Sequence, residues 1–214
     1  MEDKYRTIAE ASHAEFKEKG SKFLAYATPM DSEEEFYQYY SQIKEEHFKA
    51  RHHCFAFELG MDGNLFRAND DGEPSGTAGR PIHGQIRSAA LTNVGVIVVR
   101  YFGGTKLGVP GLIHAYKTSA ADCLQVAHII EKYIYDKFIL NFEFEKIGIV
   151  MAALKNEDIE ITLKNFDVAP TVEISIRQGM SINKIFALKS RLLNISLDSI
   201  TDKTIVPFCK IVNK

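Results

Sequence analysis

Between Val94 and Phe102 the chain reads Val-Gly-Val-Ile-Val-Val-Arg-Tyr-Phe, apolar and β-branched at almost every position. Such a run is a strand buried on both faces, which requires a covered sheet. The glycine-rich stretch Gly103-Gly104-Thr105-Lys106-Leu107-Gly108 ends it. A helix from about Pro110 to Ala127 follows, with Ile113, Tyr116, Ala120, Leu124 and Ala127 as its core face. Strands are predicted at Tyr5–Ser12 and Lys22–Thr28 around a turn at Lys19-Gly20-Ser21. Ser32 and Glu35 form a capping box for a helix reaching about Lys49, with Phe36, Tyr40, Ile43 and His47 at helical spacing. Cys54–Leu59 and Leu65–Ala68 form a strand pair joined by Met61-Asp62-Gly63-Asn64. A turn-rich loop, Asp70 to Gly79, leads to a short helix from Pro81 to about Leu91.

After residue 128 the pattern restarts as Tyr133–Phe142 (strand), Phe144–Lys155 (helix), Ile159–Phe166 and Thr171–Arg177 (strands), Ile182–Leu193 (helix) and Lys203–Phe208 (strand). That βαββαβ order is the ferredoxin-like unit. The chain therefore reads as two α+β domains, 1–127 and 132–214, with no internal repeat between them. Its 214 residues suffice for this, and with 45% hydrophobic residues and a net charge of −2 it is not a disordered chain. The longest uncharged run around the most apolar segment, Ser88 to Val99, is too short for a membrane span, and no signal peptide is visible behind Met1. Three cysteines without CxxC spacing fit a reducing cytoplasm.

Near-zero net charge argues against a general polyanion binder, yet the charge is unevenly placed. From Pro74 to Ala121 there are five cations, Arg80, Arg87, Arg100, Lys106 and Lys117, and no acid. This segment is a candidate anion site, with a solvated basic surface as the competing reading. Two glycine-rich loops lie in or beside it. In Asp70-Asp71-Gly72-Glu73-Pro74-Ser75-Gly76-Thr77-Ala78-Gly79, small residues precede a helix start, where free N–H groups and the Ser75 and Thr77 hydroxyls suit a phosphate or carboxylate. Arg80, His83 and Arg87 share one face of the following helix, opposite Ile82, Ile86 and Ala90. In the second loop, Lys106 among Gly103, Gly104 and Gly108 suits a phosphate group. The first loop could instead be structural, its Gly and Pro serving tight turns and His83 facing solvent. Neither is a Walker A or GxGxxG motif, so nucleotide hydrolysis and a Rossmann dinucleotide site lack support.

His52-His53-Cys54 raises a zinc or thiol-catalyst reading, but no second ligand pair is present, and Cys54 as a core residue is preferred. Asp70, Asp71 and Glu73 could hold Mg²⁺ or simply cap turns; no metal or cofactor is assigned. Tyr101 and Phe102 could stack on bases or belong to the core.

The stretches Asp71-Gly72-Glu73-Pro74-Ser75-Gly76-Thr77-Ala78-Gly79 and Val99-Arg100-Tyr101-Phe102-Gly103-Gly104-Thr105-Lys106-Leu107-Gly108 resemble the signatures of the YigZ/IMPACT family. So do Gly20-Ser21-Lys22-Phe23-Leu24-Ala25 and His52-His53-Cys54-Phe55-Ala56. The likeness covers residues 5–125 and departs at Pro110, where relatives usually carry glycine. It implies an N-terminal Impact domain with a ribosomal-protein-S5-domain-2-like fold and a C-terminal domain like domain V of elongation factor G. Both fold relatives work on RNA or ribosomes. Eukaryotic members restrain a starvation-activated kinase by binding its ribosome-associated activator, with an extra N-terminal domain that is not seen here.

The expected function is a cytoplasmic, non-enzymatic regulator of translation under stress that binds RNA or the ribosome. Its expected contacts are Ser75, Gly76, Thr77, Arg80, His83, Arg87, Arg100, Gly103, Gly104, Lys106 and Lys117. Two alternatives stand beside it. One is an enzyme acting on a phosphorylated or carboxylated small molecule held by the same loops, with His83, Asp71 or Cys54 as candidate chemistry. The other is an adaptor for a protein partner, docking by the exposed face of the C-terminal sheet.

Overall fold

The computed structural model describes residues 3–61, 63 and 65–214. The chain divides into two compact units, one of residues 5–132 and one of residues 1–4 with 133–214. Asp62 and Asn64 of the expected Met61–Asn64 turn lie outside the described residues.

The first unit is built on a five-stranded antiparallel sheet. Its strands are β2 (Ser12–Glu18), β3 (Ser21–Pro29), β4 (His52–Leu59), β5 (Leu65–Asn69) and β6 (Val94–Tyr101). Their spatial order is β2-β3-β6-β4-β5, so the apolar run is the central strand. All its residues from Val94 to Arg100 are buried, as a strand covered on both faces must be. Helix α1 (Glu33–Glu46) covers one face, where Phe36 and Ile43 pack on Phe55, Phe57, Ile97 and Val99. Ser32 caps α1, its hydroxyl accepting from the Glu35 amide at 3.2 Å, while Glu35 reaches back to the Asp31 amide at 2.7 Å. Helices α2 (Gly79–Ser88) and α3 (Gly108–Gln125) cover the other face, packed side by side over Phe23, Ala25, Ala56, Val96 and Val98.

The predicted strand Tyr5–Ser12 is two strands. β1 (Lys4–Ile8) pairs with β7 (Ile129–Tyr133), which falls at the expected domain boundary, and β2 begins anew at Ser12. Lys19 and Gly20, both at positive φ, close the β2–β3 turn. In α3 the expected core residue Ile113 is exposed and Leu112 is buried in its place, because Leu112, Tyr116, Ala120 and Leu124 recur every four residues on the face toward the sheet.

The second unit runs β8 (Tyr135–Phe142), α4 (Ile147–Asn156), β9 (Glu160–Asn165), β10 (Thr171–Arg177), α5 (Ser181–Leu193) and β11 (Cys209–Asn213). The sheet order β11-β8-β10-β9 makes it ferredoxin-like. One core joins Leu140, Val172 and Ile174 to Val150 and Leu154 of α4 and Leu188 of α5. The last strand is displaced from the expected Lys203–Phe208. That segment is turn-rich, with only Val206 bridging to Cys209, and β11 follows it to pair with β8. The protein is therefore an α+β chain of two units.

Candidate functional site

Three chain segments meet at one end of the central strand: the β2–β3 turn, the Asp70–Gly79 loop and the Phe102–Leu107 loop. The contact between the first and third is backbone on backbone. A Cβ on Gly103 would lie 1.8 Å from the Gly20 carbonyl carbon, so glycine is required there for the loops to meet. The Ser21 hydroxyl fixes the junction by accepting from the Gly103 amide at 3.2 Å.

Beneath the loops lies a buried charge pair. Arg100, at the end of β6, donates through Nη1 to Glu73 Oε1 at 2.6 Å, and both side chains are more than nine-tenths buried. The Tyr116 hydroxyl of α3 donates to the same oxygen at 2.9 Å. The Cys54 thiol lies 3.3 Å from that hydroxyl and 3.0 Å from the Asp70 carbonyl. Arg100 Nη2 reaches Ser21 Oγ at 3.4 Å, and Phe23 and Phe102 flank the guanidinium. A pair this deep is stable only with such additional hydrogen bonds.

The Asp70–Gly79 loop is organised from within by Asp70. Its carboxylate accepts from the amides of Gly76 (2.7 Å), Ala78 (2.9 Å) and Gly79 (2.8 Å). Burial alone would raise its pKa, but the three N–H donors hold it below the usual value. The neighbouring Asp71 accepts from the His53 amide at 2.7 Å, and the Asp71 carbonyl accepts from His52 Nδ1 at 2.8 Å. The amide nest at the start of α2, expected to receive a phosphate, is thus already filled by a carboxylate of the same loop.

The eleven expected contact residues separate accordingly. Arg80, Arg87, Lys106 and Lys117 are exposed, as are Ser75, Gly103 and Gly104. None of the four cations forms an ion pair among the described residues. They lie on α2, α3 and the loop leading into α3, on one side of the sheet. Arg100, Thr77 and His83 are committed elsewhere. Arg100 is held by Glu73, and the Thr77 hydroxyl donates to the Pro74 carbonyl at 2.6 Å. His83 stacks on Phe66 and sits 2.9 Å from Glu58 Oε2, so its ring is engaged within the protein. Gly76 gives its amide to Asp70.

Cys54 is fully buried, and burial drives its thiol pKa far up, so it is a protonated core group. Among the described residues, no group of three or more His, Cys, Asp and Glu side chains could hold a metal ion. Asp70 and Tyr116 are the organising residues that sequence reasoning assigned to turn chemistry and to packing. The signal for Tyr116 was its hydroxyl at a core position, where a buried O–H needs a partner.

Fold and site define a two-unit α+β protein whose paired glycine-rich loops are closed over an internal ion pair. Residues 19–124 match the Impact N-terminal domain. The IMPACT family member YvyE of Bacillus subtilis is 32% identical over 169 residues, 79% of this chain and 77% of its own length. A Haemophilus influenzae member is 31% identical over 176 residues, 81% of this chain and 84% of its own. The chain belongs to the IMPACT family. A crystal structure described as a hypothetical protein shares the fold, with a TM-score of 0.72 over 95% of this chain and 100% of the other at 24% identity. No described helix is long and apolar enough to cross a membrane.

Proposed function

We propose that this protein binds RNA on or near the ribosome and regulates translation in the cytoplasm under stress, without catalysing a reaction. One observation carries the reading: Arg80 and Arg87 of α2, Lys117 of α3 and Lys106 of the loop leading into α3 are exposed, with no ion-pair partner among the described residues. Exposed cations that form no close ion pair, on a segment without acids, are the electrostatic footprint of a phosphate backbone. Membership of the IMPACT family and the ferredoxin-like second unit support the same reading. The small-molecule enzyme loses ground, because Asp70 fills the amide nest and Cys54 is a buried thiol.

Ribosome co-sedimentation at low and moderate salt tests this with Arg80→Ala/Lys106→Ala beside the parent. Binding should fall with salt, and the double variant should bind more weakly with a log–log salt slope shallower by about 1.5, at about 0.7–0.9 per lost phosphate contact. Binding unchanged by the double substitution, or none at either salt, would refute the assignment.

A further inference from the structure

The opposite side of the same sheet carries a second feature. Strand β5 is the terminal strand of the five, hydrogen-bonded to β4 alone, and all five of its residues are exposed. Helix α1 does not cover it. Between α1 and the end of the β4–β5 pair at Leu59 and Leu65 lies an open groove of about 1300 Å³. Its apolar floor is Leu59, Leu65 and Tyr37, and its rim carries Asp31, Glu33 and Glu34, with no lysine, arginine or histidine among the lining residues. Arg67 of β5 is held at the side by the Tyr37 hydroxyl at 3.0 Å and Glu33 at 3.8 Å.

An uncovered strand edge offers unpaired backbone groups that invite another strand, and native proteins usually blunt or cover such edges. Here the Leu65 end of that strand adjoins an apolar floor and an acidic rim. From this combination we infer that the α1–β5 groove is a docking site for an extended basic peptide segment of a partner protein. The segment adds a strand to β5, sets an apolar side chain on Leu59 and Leu65, and places lysine or arginine against Asp31, Glu33 and Glu34. Backbone pairing supplies affinity, while the alternating side chains supply selectivity. Charge selects the occupant. A β5–β5 pairing of two copies would bring two acidic rims together, whereas a basic strand is neutralised by them. This surface is separate from the basic layer of α2 and α3, and one molecule can engage an acidic and a basic partner at once.

The test uses the full chain and a fluorescein-labelled peptide of about eight residues alternating lysine and valine, a length typical of a strand. Controls are the same peptide with glutamate for lysine, and with its edge amides N-methylated. The basic peptide should bind, and its amide-shift footprint should fall on Leu65–Asn69. Affinity should drop about tenfold with Glu33→Gln/Glu34→Gln and with N-methylation. It should be unmoved by Glu45→Gln/Glu46→Gln at the other end of α1 and by Arg80→Ala/Lys106→Ala. Three outcomes would overturn the proposal. The first is no binding of the basic peptide. The second is equal binding of the N-methylated form, or equal weakening by both glutamine pairs, which marks mere charge attraction. The third is a dimer in sedimentation equilibrium that forms through this face and excludes the basic peptide, which gives the groove to a second copy.

Discussion

The Glu73 carboxylate is the residue on which the loop junction turns, because it receives both the Arg100 guanidinium and the Tyr116 hydroxyl on one oxygen. Removing its charge while leaving Arg100 in place strands a buried cation. Glu73→Gln should therefore lower unfolding free energy by about 3–5 kcal/mol in urea denaturation. Replacing both partners, as Glu73→Gln/Arg100→Met, should cost much less than the single change, because no buried charge is left uncompensated. If the double variant were as unstable as the single one, the pair would not be what holds the junction. At this scale the sequence was legible in part. The acid-free segment and its exposed cations were readable, since net charge and spacing are properties of the string. That Arg100 points inward was not, because its partner Glu73 is 27 residues away and the two meet only when β6 and the loop converge. Alternation along β6 could have hinted at it, yet a strand buried on both faces gives alternation no contrast.

Element-scale behaviour is set by where glycines are required and where they are not. Gly103 faces Gly20 so closely that an added Cβ falls at 1.8 Å from backbone, whereas Gly84, inside α2, has nothing within 4 Å. Gly103→Ala must therefore separate the two loops, and its Tm should fall well below that of the parent. Gly84→Ala should raise stability by about 0.5–1 kcal/mol, because alanine loses less entropy than glycine in a helix interior. A Gly103→Ala protein with unchanged Tm would mean that the loops do not touch. Neither glycine was distinguishable from its neighbours in the sequence, since close approach is a tertiary property. The elements themselves were mostly legible: α1 from its capping box, β6 from its β-branched run, the βαββαβ order from its periodicity. The misplaced ends have local causes. Ala9–Ala11 carries no turn signal, so β1 and β2 read as one strand although they pair in different sheets. Lys203–Phe208 contains Ile205 and Val206 and looks strand-like, but Ile205 is exposed and the pairing with β8 starts only at Cys209.

On the scale of the whole molecule, the chain passes between its two units twice, at 4–5 and at 132–133, because residues 1–4 belong with 133–214. What fixes that short N-terminal piece is Asp3. Its carboxylate takes two hydrogen bonds from Arg177 at 2.7 Å each and one from the Gly179 amide at 2.8 Å, and Arg177 itself stacks on Tyr133 at 3.9 Å. The Arg177 hydrogen bonds above all, opposed by burial and aided by the Gly179 amide, pull the Asp3 pKa down to about 2. A carboxyl whose pKa is lowered on folding binds fewer protons in the native state, so its stabilisation is complete above its ordinary value and lost as pH falls towards the folded one. The second unit should accordingly lose stability between about pH 4 and pH 2 through this group. Asp3→Asn should flatten that segment of its acid-unfolding curve and lower its stability near neutral pH, with little effect on the unit of residues 5–132. Circular dichroism and calorimetry of the full chain across this range would show it. An unchanged acid limb in Asp3→Asn would mean that other carboxylates govern the acid sensitivity of the second unit, and that the N-terminus is dispensable to it.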